Sequence, residues 1–480
     1  MNLILFIPDE MRAESVSCYG HPVVRMPNYD RLAAEGVRFE QCHVQHTVCS
    51  PSRCSMMTGW YPHVSGHRTL WHLLRPHEPS LFRTLREAGY YVEWYGKNDL
   101  YARESFPLCV DRYAHFPGGH AGPNAHQPGD AAYYSFDYAE FPGSVEDTGD
   151  MRCVRAGIDF LRSRRPGDPP FVLYLPLSMP HPPYAAPAPY HTMYDAAALP
   201  PLRPAGLPGK PDFYEGIREY RRLDRLPAGF LERLQATYLG MNSCVDWMLG
   251  ELLDALDETG LADSTCLVAT ADHGDWSGDY GLVEKWPSAL DDTLTRVPLI
   301  IRAPGAKAGH IVQGPVELMD VMATALDLAG VEAQHTHLAR SLVPQLRGEA
   351  DDLGRAVYAE GGYDLHEPRS FEGRWADYDI PRDPTHIYWP KGLLQQERPL
   401  SVCRATMIRT LDHKLVRRPS GQSELYDLQA DPRELANLYD DPGHRAVRDD
   451  LERRLLDWYI RTADVVPWEE DPRGLPSASR

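Results

Sequence analysis

Short, mainly apolar runs recur through the first 300 residues of the chain. Each has four or five residues and ends at polar, charged or proline residues, which is typical of strands buried on both faces of a parallel sheet. The runs predicted as strands are Leu3–Ile7, Tyr91–Tyr95, Phe171–Leu175, Cys266–Thr270 and Pro298–Ile301. They predict the central strands of one sheet.

Several segments between these runs have a helical spacing of apolar positions. From Phe230 to Asp257 the apolar residues fall at positions 231, 234, 238, 241, 245, 248, 249, 252 and 256, a stripe that predicts a long amphipathic helix. A second helix is predicted over Leu81–Glu87, after a Pro-Ser dipeptide. Strands that alternate with helices predict an α/β fold, a large doubly wound and mostly parallel sheet sandwiched by helices.

Two segments interrupt this alternation. Residues 104–150 and 183–229 are rich in Pro, Gly, His and Tyr and show little periodicity. Loops of that length inside a compact domain are usually lids or binding walls, so we expect both to lie near a functional site. They belong to the larger of two predicted domains, residues 1–348.

The character of the chain changes after residue 348. Short candidate strands are followed by a terminal helix with an amphipathic pattern. These elements are Ala356–Glu360, Cys403–Arg409, Lys414–Arg417 and Ala446–Ile460. They predict a smaller C-terminal α+β subdomain over residues 349–480.

Charge and cysteine content narrow the classes of partner and compartment. The 480 residues carry 68 acidic and 49 basic side chains, a formal charge of −19 without a basic run, which argues against a nucleic-acid or anionic-membrane partner.

No apolar run approaches the ~20 residues that cross a bilayer. The N-terminus lacks a basic region, so we expect no cleaved signal peptide and a cytoplasmic location. The odd number of cysteines, nine, favours reduced thiols over a disulfide framework.

The segment from His46 to Gly59 carries the strongest chemical signal. It reads His-Thr-Val-Cys-Ser-Pro-Ser-Arg-Cys-Ser-Met-Met-Thr-Gly, with Cys49 before a Pro-Ser turn and a predicted helix over Ser52–Thr58. A thiol at a helix N-terminus has its anionic form favoured, and Arg53 adds a fixed cation beside it. Such a place suits an anion or an anionic transition state.

Three interpretations of Cys49 are open at this point. The first is a buried structural cysteine, and the second is a metal site shared with Cys42, His46 and Cys54. That metal site is disfavoured because the spacing matches no standard zinc pattern and the residues straddle a strand-to-helix turn. The third interpretation depends on a family resemblance.

The segment closely resembles the signature of the formylglycine-dependent sulfatases of the alkaline phosphatase superfamily. That signature is Cys-x-Pro-Ser-Arg with Thr-Gly a little over one helical turn later. The match falls at Cys49, Pro51, Ser52, Arg53, Thr58 and Gly59. In that family the cysteine is oxidised to Cα-formylglycine after translation. The resemblance therefore implies conversion of Cys49 and a formylglycine-generating enzyme as a partner during maturation.

The resemblance extends over most of the chain. The opening strand ends in acids like the family's first metal-binding strand, and Asp272-His273 follows a predicted strand as in its second metal-binding segment. Other segments similar to the family's are Gly96-Lys97, Met179–Pro183, Gly281–Trp286, Arg296–Pro304 and Glu424–Glu434, the last of which we interpret as a structural turn.

A divalent cation and a ring of positive charge are implied by the resemblance. An anionic ester repels nucleophiles, so its site must supply positive charge around the ester oxygens. The implied cation is Ca²⁺, with Mg²⁺ or Mn²⁺ as alternatives. The implied metal ligands are Asp9, Glu10, Cys49 after its conversion, Asp272 and His273. The other implied catalytic residues are Arg53, Lys97, His181 and Lys285.

The implied reaction is hydrolysis of a small organic sulfate ester. One hydroxyl of the hydrated aldehyde at position 49 attacks sulfur, and the alcohol leaves, protonated by His181 or Lys285. Deprotonation of the second hydroxyl then expels sulfate and restores the aldehyde. Two other functions stay open, a phosphonate monoester or phosphodiester hydrolase with the same site and a non-catalytic member of the fold.

Three positions depart from the common family pattern. Glu10 stands where many sulfatases have Asp, His273 where many have Asn, and Asp99 where a sulfate-contacting His is common. Related phosphonate monoester and phosphodiester hydrolases also combine a non-Asp second position with Asp-His, which makes them the leading alternative. An anion at position 99 is unfavourable for binding sulfate directly, so we interpret Asp99 as a carboxylate that orients Lys97.

Each candidate residue also has an ordinary structural explanation. A lone Asp after a strand is most often a helix N-cap, His181 between prolines fits a surface turn, and lysines are usually solvated. These explanations fail together because the residues recur in family order beside a specific nucleophile motif. The histidines of the long loops and the C-terminal part are predicted to be surface residues, with a place in the lining of a substrate pocket as the alternative: His115, His120, His126, His191 and His366.

Overall fold

A computed structural model describes residues 1–349, 351–364, 366–367 and 383–468 of the protein. Nine strands of the described residues form the main sheet. They are β1 Asn2–Ile7, β2 Val37–His43, β3 Tyr91–Tyr95, β4 Arg112–Ala114, β5 Phe171–Pro176, β6 Thr265–Thr270, β7 Arg296–Val297, β8 Leu299–Arg302 and β9 His310–Glu317.

Strand β1 lies inside the sheet. Strands β4, β3, β5, β1 and β6 follow one another in parallel, and Leu3 of β1 pairs with Val172 of β5 on one side and Cys266 of β6 on the other. Beyond β6 come β8 and then β2, both pairings antiparallel, and β2 also pairs with β7 and β9. This mostly parallel sheet with flanking helices confirms the predicted fold class.

Several candidate site residues lie at one edge of the main sheet. Asp9, Lys97 and Asp272 each lie two residues past the end of their strand, β1, β3 and β6. Because these strands run parallel, their carboxyl ends reach one edge, where open α/β sheets bind ligands.

The described residues form helices of very different length. They are α1 Pro27–Glu35, α2 Cys49–Thr58, α3 Pro62–Ser65, α4 Leu81–Glu87, α5 Phe106–Cys109, α6 Gly149–Ser163, α7 Phe213–Tyr220, α8 Phe230–Glu258, α9 Asp292–Thr295, α10 Asp320–Ala329, α11 Val343–Leu346, α12 Trp389–Glu397 and α13 Arg445–Thr462. The predicted helix α4 is confirmed without change, and α8 is one residue longer than predicted. Within the described residues, none of these helices has the length and apolar character needed to cross a membrane.

A second, antiparallel sheet lies in the C-terminal part. Its strands, in spatial order, are β10 Val357–Gly361, β11 Ala405–Arg409, β12 His413–Arg417 and β13 Glu424–Asp427. The three predicted strands are confirmed with shifted ends. The prediction of a turn at Glu424 is wrong for its first four residues, because they pair with β12 and complete the sheet. The turn itself follows β13.

The two segments predicted as long loops contain short regular elements. Residues 104–150 include α5, β4 and the start of α6, and residues 183–229 include α7. Each of these elements except α6 has eight residues or fewer, too short for a clear period in the sequence.

Candidate active site

Cys49 is the first residue of α2, where the chain turns from β2 into that helix. All ten residues of α2 are buried, and the preceding Val48 is extended. The helix begins three residues before the predicted start, since a proline at its third position costs no hydrogen bond there. Ser52 Oγ donates to the backbone carbonyl of Asp272 at 2.5 Å, which fastens α2 to the chain that follows β6.

Four buried side chains meet at this helix terminus. Cys49 Sγ donates to Asp9 Oδ1 at 3.7 Å, and His273 Nε2 lies 3.3 Å from Cys49 Sγ. The same His273 nitrogen lies 3.5 Å from Asp9 Oδ1 and 3.9 Å from Asp272 Oδ2. One ligand atom of each of the four residues lies within 4.8 Å of the others. The structure thus brings together four of the five predicted metal ligands.

The tautomer of His273 fits metal binding. Its Nδ1 lies 2.9 Å from the carbonyl oxygen of Gly274, which can only accept, so Nδ1 carries the proton. The lone pair of Nε2 then faces Asp9 and Cys49. A hydrogen bond from the other ring nitrogen to a carbonyl oxygen is how ligating histidines are oriented in metal sites. Buried carboxylates beside a histidine nitrogen are donors that suit a divalent cation.

Arg53 joins the two aspartates. Its Nε and Nη2 lie 2.9 and 2.8 Å from Asp272 Oδ2, and Nη2 lies 3.5 Å from Asp9 Oδ2. Its Nη1 donates to Tyr174 OH at 2.9 Å. Burial by itself would raise the pKa of Asp272, but the charge of Arg53, with His273 and Lys97, holds it below its ordinary value. Arg53 therefore lies beside both aspartates.

Lys97 connects the site to Asp99. Its Nζ contacts Asp9 Oδ2 and lies 2.6 Å from Asp99 Oδ2. The neighbouring Asn98 turns away, because its Oδ1 accepts from the backbone N–H groups of residues 100 and 101. Gly96 allows the chain before Lys97 to pass close to the carbonyl oxygen of Pro176. Its φ is 142°, and a Cβ at this position would lie 2.2 Å from that oxygen.

Glu10 adjoins the group of four but is not one of its members. Its φ of 66° lies in the left-handed region, and its N–H donates to Asp272 Oδ1 at 3.2 Å. Its Oε1 contacts Lys285 Nζ and lies 3.4 Å from His181 Nε2. Glu10 therefore belongs to an adjoining group with Asp9 and His181, and its nearest cation is Lys285.

His181 and Lys285 form a hydrogen-bonded pair. The His181 Nδ1–H donates to the carbonyl oxygen of Pro182 at 2.6 Å, so Nε2 is free to accept. Lys285 Nζ lies 2.9 Å from that Nε2. Burial, assisted by the charge of Lys97, lowers the pKa of His181 to about 3. The imidazole is therefore neutral, and its Nε2 accepts a hydrogen bond from Lys285 Nζ.

The thiol of Cys49 is not activated by its place in the fold. Burial raises the pKa of Cys49 well above its ordinary value, and the charges of Asp272 and Asp99 add to that effect. The helix N-terminus and Arg53 do not outweigh them, so the predicted preference for a thiolate is wrong.

Other sequence candidates lie outside this group. Within the described part of the chain, Cys42, His46 and Cys54 do not gather with Cys49 into a metal-binding group. Of the histidines predicted to lie on the surface, residues 115 and 366 are exposed and residues 126 and 191 are half-buried. His120 contradicts that prediction, because it is buried with its Nε2 3.0 Å from the carbonyl oxygen of Pro183.

Three buried residues around the site were not predicted. Tyr174 bonds Arg53, Asp150 accepts from the N–H groups of residues 178 and 179 at 2.8 and 2.7 Å, and Tyr184 bonds the loop before Lys285. The only sequence signal near Tyr184 is its place in the segment that begins Pro-His. Tyr174 and Asp150 have no distinguishing local pattern.

Comparison with known proteins places this geometry in a family. The family model described as "Sulfatase" matches residues 1–331, and the model described as "N-sulphoglucosamine sulphohydrolase, C-terminal" matches residues 394–460. The first match covers more than two thirds of the chain and includes every candidate site residue.

Several characterised proteins are similar over nearly the whole chain. The multifunctional alkaline phosphatase superfamily protein PehA of Trinickia caryophylli is 28% identical, over 98% of this chain and 96% of its own. The N-acetylglucosamine-6-O-sulfatase of Bacteroides thetaiotaomicron is 26% identical, over 98% and 88%. The solved phosphonate monoester hydrolase SpPMH of Silicibacter pomeroyi is 27% identical, with a TM-score of 0.75 over 96% and 95%. With the match to the family model, these relatives establish that the chain belongs to the sulfatase family of hydrolases, within the alkaline phosphatase superfamily.

Proposed function

We propose that this protein hydrolyses a small organic sulfate ester to an alcohol and inorganic sulfate. The observation that supports this function most directly is the position of Cys49, 3.3 Å from His273 Nε2 and 3.7 Å from Asp9 Oδ1 at a buried helix terminus. Two cationic side chains, those of Arg53 and Lys97, contact Asp9 beside that position, and Lys285 contacts the adjacent Glu10. Donors aimed at the place where charge develops are the usual basis of catalysis on anionic esters.

Asp9, Asp272 and His273 would hold one divalent cation, with position 49 as a further donor. The hard carboxylate oxygens favour Ca²⁺, and Mg²⁺ or Mn²⁺ suit them as well. When bound, the cation would supply positive charge that stabilises the oxygens of the reacting group. Glu10 is the remaining candidate ligand, and its contact with Lys285 makes it a partner of that lysine first.

Position 49 would carry the nucleophile after maturation. A protonated, buried thiol is a poor nucleophile, whereas Cα-formylglycine, formed from Cys49 by a formylglycine-generating enzyme, supplies a hydroxyl of its hydrate. The presence of eight other free cysteines is compatible with the cytoplasmic location that we propose, because thiols stay reduced there.

The remaining side chains would bind the ester and donate a proton. Arg53 and Lys97 lie beside Asp9, where their charges would attract the anionic oxygens. The proton for the leaving alcohol would come from Lys285, which shares it with His181 Nε2 across 2.9 Å. Glu10 would keep Lys285 charged between turnovers, because a carboxylate favours the protonated amine.

Hydrolysis of phosphonate monoesters or phosphodiesters is the second candidate. Similarity to the phosphonate monoester hydrolase of Silicibacter pomeroyi and to PehA over almost the entire chain favours it. Two sequence features agree with it: position 10 is not Asp, and His273 follows Asp272. A third possibility, a non-catalytic member of the fold, is disfavoured because the cysteine motif and the ligand candidates are intact.

Parallel assays separate these functions. Protein co-expressed with a formylglycine-generating enzyme is assayed with p-nitrophenyl sulfate, p-nitrophenyl phenylphosphonate and bis-p-nitrophenyl phosphate. We expect turnover of the sulfate ester and none by Cys49→Ala. A preference of several orders of magnitude for the phosphorus esters would overturn the first function in favour of the second. If fully converted protein hydrolyses none of the three esters, that result favours the non-catalytic possibility.

A further inference from the structure

The proposed proton donor is built from two separate segments of irregular chain. His181 lies after β5 and Lys285 lies after β6, in segments without regular secondary structure. Their side chains must meet within hydrogen-bond distance, and the observed Nζ–Nε2 separation is 2.9 Å. A shift of about 1 Å in such an arrangement can cost about a hundredfold in rate. Some element of the fold must therefore fix one segment against the other.

Tyr184 makes that connection. It follows His181 by three residues, and its side chain is fully buried. Its hydroxyl donates to Asp275 Oδ1 at 2.7 Å and accepts from the backbone N–H of Glu284 at 2.9 Å. One hydroxyl thus bonds the chain just before Lys285 and the segment that carries His273.

The hydrogen bond from the Glu284 N–H to Tyr184 holds a backbone that has an unusual conformation. Glu284 has a φ of 65°, in the left-handed region that a residue with a side chain seldom adopts. Its carboxylate is bonded to Arg221 at 2.7 Å and Lys391 at 3.1 Å, so the side chain is fixed independently. The N–H bond to Tyr184 connects this backbone directly to the segment of His181.

Separate hydrogen bonds fix the His181 turn on both sides of the histidine. Asp150 accepts from the N–H groups of Ser178 and Met179, and His120 Nε2 lies 3.0 Å from the carbonyl oxygen of Pro183. Neither residue touches the segment of Lys285 in these contacts. Loss of the Tyr184 hydroxyl would therefore leave the His181 turn in place and release its connection to Lys285.

We propose that Tyr184 is a positioning residue whose hydroxyl sets the distance between His181 and Lys285, and so the efficiency of proton donation to the leaving group. This inference rests on the proposed function, in which that pair protonates the departing alcohol. Proton donation matters most when the leaving alcohol is a weak acid, since a good leaving group departs without it. If Tyr184 only stabilised the fold, its loss would slow hydrolysis equally for esters with poor and with good leaving groups.

The test compares Tyr184→Phe with a matched control, Tyr194→Phe. Tyr194 is also buried, and its hydroxyl makes two hydrogen bonds, with the N–H of Arg25 at 2.8 Å and Ser243 Oγ at 2.6 Å, neither of which belongs to the segment of His181 or Lys285. Both variants are assayed with the phenyl and p-nitrophenyl esters of whichever acid, sulfuric or phosphonic, the wild type cleaves. Melting temperatures of both variants are measured alongside.

For Tyr184→Phe we expect kcat to fall at least about tenfold on the phenyl ester and less than about threefold on the p-nitrophenyl ester, with KM nearly unchanged. Tyr194→Phe should lower the melting temperature to a similar extent and change neither kcat. Equal losses on the two esters, or no loss, would overturn the positioning role.

A crystal structure of Tyr184→Phe supplies a readout that needs no turnover. The separation of Lys285 Nζ and His181 Nε2 should exceed hydrogen-bond distance in the variant, and a separation still near 2.9 Å would contradict the inference. If the wild type cleaves neither class of ester, the proposed function fails, while this distance still decides whether Tyr184 positions the pair.

Discussion

His273 Nε2 lies 3.3 Å from Cys49 Sγ, although 224 residues separate the two in the chain. The contact exists because β1 and β6 are neighbouring parallel strands and α2 begins beside their carboxyl ends. The proton on His273 Nδ1 is held by the carbonyl of Gly274, which leaves the lone pair of Nε2 directed at Cys49. This geometry supports the proposed cation site and leads to the first prediction.

Excess Ca²⁺ should raise the melting temperature of the wild type. A ligand that binds only the folded state at about 100 times its Kd adds about 2.7 kcal/mol to the free energy of unfolding, which corresponds to a shift of several degrees. His273→Ala should reduce that shift strongly, because it removes one donor. The control is His115→Ala, at an exposed histidine, which should keep the full shift. An equal shift in both variants would exclude His273 as a ligand.

Conversion of Cys49 should be visible by mass. After co-expression with a formylglycine-generating enzyme, the tryptic peptide that contains Cys49 should lose roughly 18 Da, as expected for thiol to aldehyde. The peptide of Cys18, which lies outside the motif, is the internal control and should keep its thiol mass. Full activity in protein whose Cys49 is wholly unconverted would contradict the proposed nucleophile.

Asp99→Asn should weaken catalysis by releasing Lys97. The Asp99 carboxylate lies 2.6 Å from Lys97 Nζ, which also contacts Asp9. A neutral amide at position 99 attracts the Lys97 ammonium less strongly and so orients it less well. We expect a loss of about tenfold in kcat/KM, the scale typical of groups that orient active-site residues. Substrate assays of Asp99→His complete the test. Higher activity of that variant on every sulfate ester would disprove the orienting role.

Glu78→Gln should change how stability depends on pH. Burial by itself would raise the pKa of Glu78, but its hydrogen bond to His67 Nε2 at 3.0 Å and the charge of His67 lower it to about 2. This carboxylate stabilises the fold fully above its unfolded pKa of about 4.3, and the contribution is lost as the pH falls from there towards about 2.

The variant should therefore lose about 1–3 kcal/mol of unfolding free energy at pH 7, the usual cost for a hydrogen bond to a charged group. Its deficit relative to the wild type should shrink as the pH falls below about 4.3. Urea unfolding at a series of pH values measures both effects, with the exposed Glu104→Gln as control. A deficit that stays constant down to pH 2 would mean that the Glu78 charge contributes nothing.

Local sequence pattern predicted the core strands well because they are buried on both faces. Strand β1, for example, is apolar from Leu3 to Ile7 and was recognised from that run alone. Strand β2 was missed because it reads Val-Arg-Phe-Glu-Gln-Cys-His, with polar residues that break the apolar run. Its pairing with β8 and β9 is a tertiary property. The division of the chain at residue 348 stays a prediction.

The candidate site residues were named from motifs whose order and spacing resemble those of the family. Cys49 and Arg53 share one helix, and Asp9 and Asp272 each follow a recognisable strand, so sequence sufficed to name them. The sequence did not predict which of these side chains contact one another. Glu10 contacts Lys285, and burial holds the Cys49 thiol neutral, because desolvation depends on everything packed around a group.

The sequence by itself therefore predicted the core strands of the sheet from local periodicity, and it named position 49 and the candidate ligands through the family resemblance of its motifs. Tertiary structure alone decided the parts that connect them. Tyr184 joins segments 91 and 100 residues away through one hydroxyl, and Tyr174 receives a hydrogen bond from Arg53. No local pattern marks either tyrosine, because a side-chain hydrogen bond across a fold depends on where distant backbones lie.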